Sequence, residues 1–162
     1  MSEEQTILDE LLAKWPAIKD KARIARARRI FVDVPAQDFR AVFEHAALGM
    51  KFSILCTITG VDLGEDLGAI YHLARESGVM LNLSTSVPKA QPVLRTVSDL
   101  FPAADAYERE MIDLLGMQVQ GLPPGNRYPL PDNWPEGQYP LRKDWKPPAD
   151  FAPAEASEAS DE

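Results

Sequence analysis

The 162-residue sequence contains one cysteine, Cys56, and two histidines, His45 and His72. A lone thiol excludes an internal disulfide. With no CxxC, HxxxH or carboxylate cluster at ligand spacing, no zinc cage or iron–sulfur site is expected in this protein. A reducing compartment fits this composition. Cys56 alternates with apolar neighbours, which predicts a buried, inert thiol, and His72 reads as a satisfied sheet residue. No glycine-rich phosphate loop follows a predicted strand. No apolar run approaches the ~20 residues that span a bilayer, and the opening "MSEEQTILDELLAKW" lacks the basic start and apolar centre of an export signal. A soluble protein is expected, reaching a membrane only through other subunits. Positive charge is also short: 17 Lys and Arg stand against 25 Asp and Glu, for a net charge of −8. Five acids beyond Ala149 have no Lys or Arg among them. This balance argues against nucleic acid as the main partner.

Hydrophobic residues make up 45% and charged residues 26%, the composition of one ordinary globular domain. Ile7, Leu8, Leu11, Leu12 and Trp15 recur at helical spacing before Pro16, predicting a helix over 4–14. The next segment gathers Lys19, Lys21, Arg23, Arg26, Arg28 and Arg29 against Asp20, either a solvated face or a docking surface for an acidic partner. "RIFVDVP" reads as a strand, and Pro35 as the first residue of a helix ending at Gly49. "KFSILCTITGVDLG", "AIYHLAR" and "VMLNLSTSVP" read as three consecutive antiparallel strands. Pro92 opens a short predicted helix through Val93, Leu94 and Val97, and Pro102 opens another to Gly116. The expected fold is a two-layer α+β domain: a mixed, mostly antiparallel sheet with helices on one face, followed by an extended proline-rich C-terminal segment.

After Gly121 nine prolines exclude helix and interior strand, yet Tyr128, Trp134, Tyr139 and Trp145 lie among them. Such rings either anchor in a partner's pockets or fold back on their own domain. The expected division is an N-terminal helix and basic segment over 1–27, the α+β domain over 28–121, an extended docking segment over 122–148, and an acidic disordered tail over 149–162.

Within "DAYEREMIDLLGM", Leu114, Tyr107, Met111, Leu115 and Ile112 span an apolar arc of about 160° at 100° per residue. Glu108 projects inside that arc, while Asp105, Arg109 and Asp113 form an i, i+4 ladder on the far side. A carboxylate there is exposed at the edge, protonated, or matched by a cation, for which Arg142, Lys143 and a partner's arginine are the candidates. Glu108 and Glu110 point about 200° apart and have no histidine nearby in sequence, a poor acid–base pair. No active site emerges.

"AIYHLAR", "LNLSTSVPKAQPVLRTVSDLFPAADAYEREMIDLLGM" and "PLPDNWPEGQYPLRKDW" together resemble the 30 kDa subunit family of respiratory complex I, the NADH-quinone oxidoreductase, over residues 28–146. Glu108, Arg109, Glu110, Asp113, Leu114, Leu115 and Gly116 match the family's Glu-Arg-Glu motif. Pro140, Leu141, Arg142, Lys143 and Asp144 match its Pro-Leu-Arg-Lys-Asp motif. The resemblance implies a non-catalytic, cofactor-free structural subunit in the peripheral arm of a membrane-bound redox complex, on the cytoplasmic face of the inner membrane. It implies a C-terminal segment, with Arg127, Trp134, Tyr139 and Trp145, lying over a large partner subunit that holds the quinone site or a nickel–iron centre. A small iron–sulfur subunit is the other implied partner, and iron–sulfur clusters and quinone belong to those proteins.

Where the family commonly has Gly-His-Pro and two basic residues, this sequence has Gly121, Leu122, Pro123, Pro124, Gly125, Asn126 and Arg127. That departure resembles the variants of energy-converting hydrogenases and formate hydrogenlyase-type complexes. Rival readings are a stand-alone interaction adaptor and an independent enzyme using Glu108 or Glu110.

Overall fold

The computed structural model describes residues 2–148. The acidic segment expected over 149–162 lies outside the described residues. Helix α1 (Glu3–Lys14) starts at Ser2, whose hydroxyl accepts the Gln5 N–H at 3.2 Å, and presents Ile7, Leu8 and Leu11 to the core. A 3₁₀ turn (Pro16–Lys21) leads into strands β1 (Ala22–Arg26) and β2 (Arg29–Asp33), which pair as a hairpin. The basic segment, with no strand expected in it, is therefore half of that hairpin. Residues 1–27 share the sheet and core of the domain rather than preceding it.

Helix α2 (Ala36–Glu44) follows Pro35, which sits one position before the helix rather than inside it. Its Phe39 and Phe43 rings meet Tyr71 at 4.7 and 5.4 Å, the aromatic centre of the core. Strands β3 (Ile54–Asp62), β4 (Asp66–Ala74) and β5 (Met80–Pro88) form the expected antiparallel series, and β5 joins β2 in parallel. The resulting sheet order is β1-β2-β5-β4-β3. Leu67, Ala69, Tyr71, Leu73, Leu81, Leu83 and Val87 face one side and pack with the helices in a single core. The opposite face carries half-buried Phe31, Ile70, His72 and Met80. There His72 contacts Asn82 Oδ1 at 2.7 Å and Thr59 Oγ1 at 3.0 Å, the satisfied sheet histidine expected from sequence.

Two expectations fail here. Cys56 is exposed, because β3 carries a bulge between Leu55 and Thr57 that shifts the alternation by one residue. Residues around Pro92 form no helix: β6 (Val93–Arg95) pairs in parallel with β7 (Gln118–Gln120), whose partnership outweighs the short helical spacing. Helix α3 (Ala104–Leu115) lies between them in sequence and packs against the edge strand β3.

Candidate interface around helix α3

Ala104, Glu108, Met111 and Leu115, spaced along one stripe of α3, are buried against the domain. Gly60 on β3 is the contact point: a Cβ there would fall 2.5 Å from Leu115 Cδ1 and 3.1 Å from Met111 Cγ. A larger residue would have to displace the Leu115 and Met111 side chains. Glu108 is fully buried within this stripe. Its Oε1 accepts the Val97 N–H at 2.8 Å and its Oε2 lies 2.5 Å from the Thr96 hydroxyl. Burial pushes its carboxyl above the usual range, against the two hydrogen bonds, which pull the other way.

Among the described residues no cation joins it. Of the candidates within the sequence, Arg142 donates to the Leu115 carbonyl and Lys143 contributes its main-chain N–H to Asp62, while Glu108 itself is 0% exposed. The 96–99 loop that receives Glu108 is gripped from the other side by Arg40, whose guanidinium reaches Asp99 at 2.6 and 2.8 Å and the Thr96 carbonyl at 2.7 Å. Thr96, Arg40 and Asp99 are not legible in sequence as a unit, since no common motif links α2 to this loop.

The opposite side of α3 is covered by residues 122–148. Arg109 makes the expected pair with Asp105, at 2.7 and 3.0 Å, but the ladder stops there. Asp113 is buried and takes the Arg127 guanidinium at 3.0 Å and the Leu130 N–H at 3.2 Å. Arg109 also donates to the Pro123 carbonyl at 2.6 Å. Both arginines of the helix–tail junction are thus charge-matched.

Further along, Arg142 Nε donates to the Leu115 carbonyl at 2.7 Å and Leu141 N–H to the Leu114 carbonyl at 3.1 Å, satisfying two carbonyls at the helix end. Gly116 closes the helix in the left-handed region, φ 71°, and a Cβ on it would sit 2.5 Å from the Tyr139 ring and 2.7 Å from Arg142. The Arg142 guanidinium stacks 4.5 Å from that ring. The two sequence motifs therefore meet at the C-terminal end of α3.

A second clamp holds the Lys143 and Asp144 end. Buried Asp62 accepts the Gly64 N–H at 2.7 Å, the Lys143 N–H at 2.8 Å and Lys89 Nζ at 2.9 Å, and Lys89 also reaches Asp144 at 3.6 Å. The Gly64 and Lys143 amides and the Lys89 ammonium pull the Asp62 carboxyl down to about 2. Sequence reasoning misses Asp62 and Lys89, although "DLG" carries the look of an Asx turn. Trp134 and Trp145 stack at 6.3 Å, and both indole N–H groups donate to Gln138 at 2.8 Å.

The tail thus folds back on its own domain, the alternative to rings held only by a partner. Yet no residue in 122–148 is buried; Tyr128 stands 50% and Leu141 56% exposed. Two clefts flank α3: one of about 620 Å³ lined by Arg109, Asp113, Arg127, Tyr128 and Tyr139, the other of about 250 Å³ between Glu110, Leu114, Leu141 and β3. Glu110 lines the second cleft, whereas Glu108 is fully buried. Among the described residues no cluster of three or more metal-ligating side chains occurs. No helix among them is long and apolar enough to cross a membrane.

Comparison with known proteins matches this architecture. Residues 32–150 match the family described as respiratory-chain NADH dehydrogenase, 30 Kd subunit. The membrane-bound hydrogenase subunit beta of Pyrococcus furiosus is 40% identical, over 90% of this sequence and 88% of its own. A subunit of the F(420)H(2) dehydrogenase of Methanosarcina mazei is 32% identical over 145 residues, 88% of this sequence and 91% of its own. Among solved structures, a component of the membrane-bound sulfane sulfur reductase, an archaeal respiratory membrane complex, superposes with a TM-score of 0.75 at 27% identity, over 90% of this sequence and 86% of its own.

Proposed function

The protein belongs to the respiratory-chain NADH dehydrogenase 30 kDa subunit family, and from that membership we propose that it is a non-catalytic structural subunit of a membrane-bound, complex-I-like oxidoreductase. Its α3–tail surface holds the large subunit with the quinone site or nickel–iron centre, beside a small iron–sulfur subunit. The complex sits on the cytoplasmic face of the membrane, and clusters and quinone reside in its other subunits. The observation that carries this reading is the convergence of both motifs on one surface whose tail is ordered by α3 but nowhere buried. A segment that merely capped its own domain would bury its large side chains; Tyr128 and Leu141 instead stand outward at the two clefts.

The hydrogenase branch is the more specific version, favoured by the 40% identity to the Pyrococcus subunit beta. The test is co-purification after Tyr128→Glu and Leu141→Asp together. Both side chains are at least half exposed, so the thermal midpoint is expected to stay within a few degrees. Recovery of the large subunit in mild detergent is expected to fall at least about tenfold, the effect of losing ~1.4 kcal/mol of contact. Full recovery with the double variant would overturn the assignment of this surface.

A further inference from the structure

The opposite edge of the sheet presents a different surface. Lys19, Lys21, Arg23, Arg26, Arg28 and Arg29 lie within eleven consecutive residues in which Asp20 is the only acid. Among the described residues none of the six makes a salt bridge, in a protein with 25 acids. Glu4 accepts the Arg28 main-chain N–H at 2.7 Å, and Arg23 lies 4.8 Å over the Phe31 ring. Arg26 and Arg29 are paired directly across the hairpin, two like charges at adjacent positions that an anion between them would relieve.

β1 is also an edge strand: it pairs with β2 alone, and four of its five residues are exposed. Its outward N–H and C=O groups face no other described strand, which makes it a template for an added extended segment. The charge decides which segment. A second copy would bring the same arginines and repel. A bilayer surface would need apolar anchors, and the hairpin's only exposed large hydrophobic residue is Ile24, at 36%. Nucleic acid is disfavoured by the net charge of −8.

We propose that β1 docks an extended acidic segment of a partner protein, which adds to the sheet as a sixth strand with its carboxylates between Arg23, Arg26 and Arg29. This site lies at the far edge of the sheet from β3 and α3, about 19 Å across four inter-strand spacings. The proposal goes beyond the α3–tail reading and does not rest on it.

A photo-reactive residue in place of Ala25, exposed at the β1 irregularity, tests it in the native complex. The expected adduct is a single partner segment rich in Asp and Glu, its yield falling at least about tenfold in an Arg23→Glu/Arg26→Glu background with an unchanged thermal midpoint. Arg23→Gln/Arg26→Gln reads the same loss should the reversal unfold the protein. Adducts on lipid, nucleic acid, a second copy, this protein's residues 149–162 or a segment without acids would overturn it, as would undiminished yield or no adduct. Retention of the large subunit through the α3–tail surface is scored separately in the same preparation, so either idea can fail alone.

Discussion

Glu108 resolves its charge problem through hydrogen bonds rather than through a cation. The Thr96 hydroxyl has one proton but contacts both Glu108 Oε2 and Ser98 Oγ, while accepting the Ser98 N–H at 3.0 Å. A protonated Glu108 donating to Thr96, which then donates to Ser98, satisfies every atom in the row without a buried charge. Glutamine can make the same contacts, with Nε2 donating to Thr96 and Oε1 accepting from Val97. Glu108→Gln is therefore expected to change folding stability by less than about 1 kcal/mol near pH 5, whereas Glu108→Ala strands the Val97 N–H and opens a cavity, costing about 2–4 kcal/mol. The sign with pH follows from the raised carboxyl. The contribution is fully present below the ordinary glutamate value of 4.5 and is lost as pH rises through the higher folded value. Chemical denaturation across pH 4 to 8 should accordingly show the Gln variant gaining on the wild type as pH rises; parallel curves would contradict a buried, titrating Glu108.

Among the elements, α3 is the part that both sides of the protein need, and its end depends on Gly116. An alanine there must occupy the left-handed region and displace Tyr139 or Arg142, so Gly116→Ala is expected to cost about 1–3 kcal/mol and to loosen residues 139–142. Amide exchange at Leu141, whose N–H bonds the Leu114 carbonyl, reads that loosening directly. The Asp62 clamp should fail in the other direction of pH. Its carboxyl is held at about 2, so its contribution is complete above the ordinary aspartate value of 3.8 and disappears as pH falls through about 2. Asp62→Asn removes one of the acceptors facing Lys143 and Lys89, and is expected to give at neutral pH the protease sensitivity around residues 141–146 that is expected of the wild type only in acid.

The central strands and α1 to α3 are legible in the sequence because each carries an apolar stripe of helical or alternating period bounded by proline or glycine. Less visible are β1, β6 and β7. β1 is an exposed edge with almost no buried face to pattern, and the other two are three-residue strands defined by each other across the intervening α3. The bulge that exposes Cys56 is marked in the sequence by Leu55 alone, which breaks the polar side of the alternation and packs partly buried against the core. At the interface the motif residues are readable singly, but Asp113 meeting Arg127, and Asp62 meeting Lys143, are tertiary pairings for which sequence spacing gives no rule.

At the scale of the whole molecule, the sheet has two unlike edges. One is closed by α3 and the returning tail; the other is an arginine-lined strand. Family membership marks the protein as a subunit of a complex-I-like or membrane-bound hydrogenase-type complex. The proposed role requires the α3–tail surface to be covered in the assembled complex. Side-chain footprinting by hydroxyl radicals, quantified at Tyr128 and Leu141 in the isolated protein and in the purified complex, measures this at the two residues concerned. Both should label readily when the protein is alone and be protected at least about tenfold in the complex; equal labelling in the two states would contradict the account.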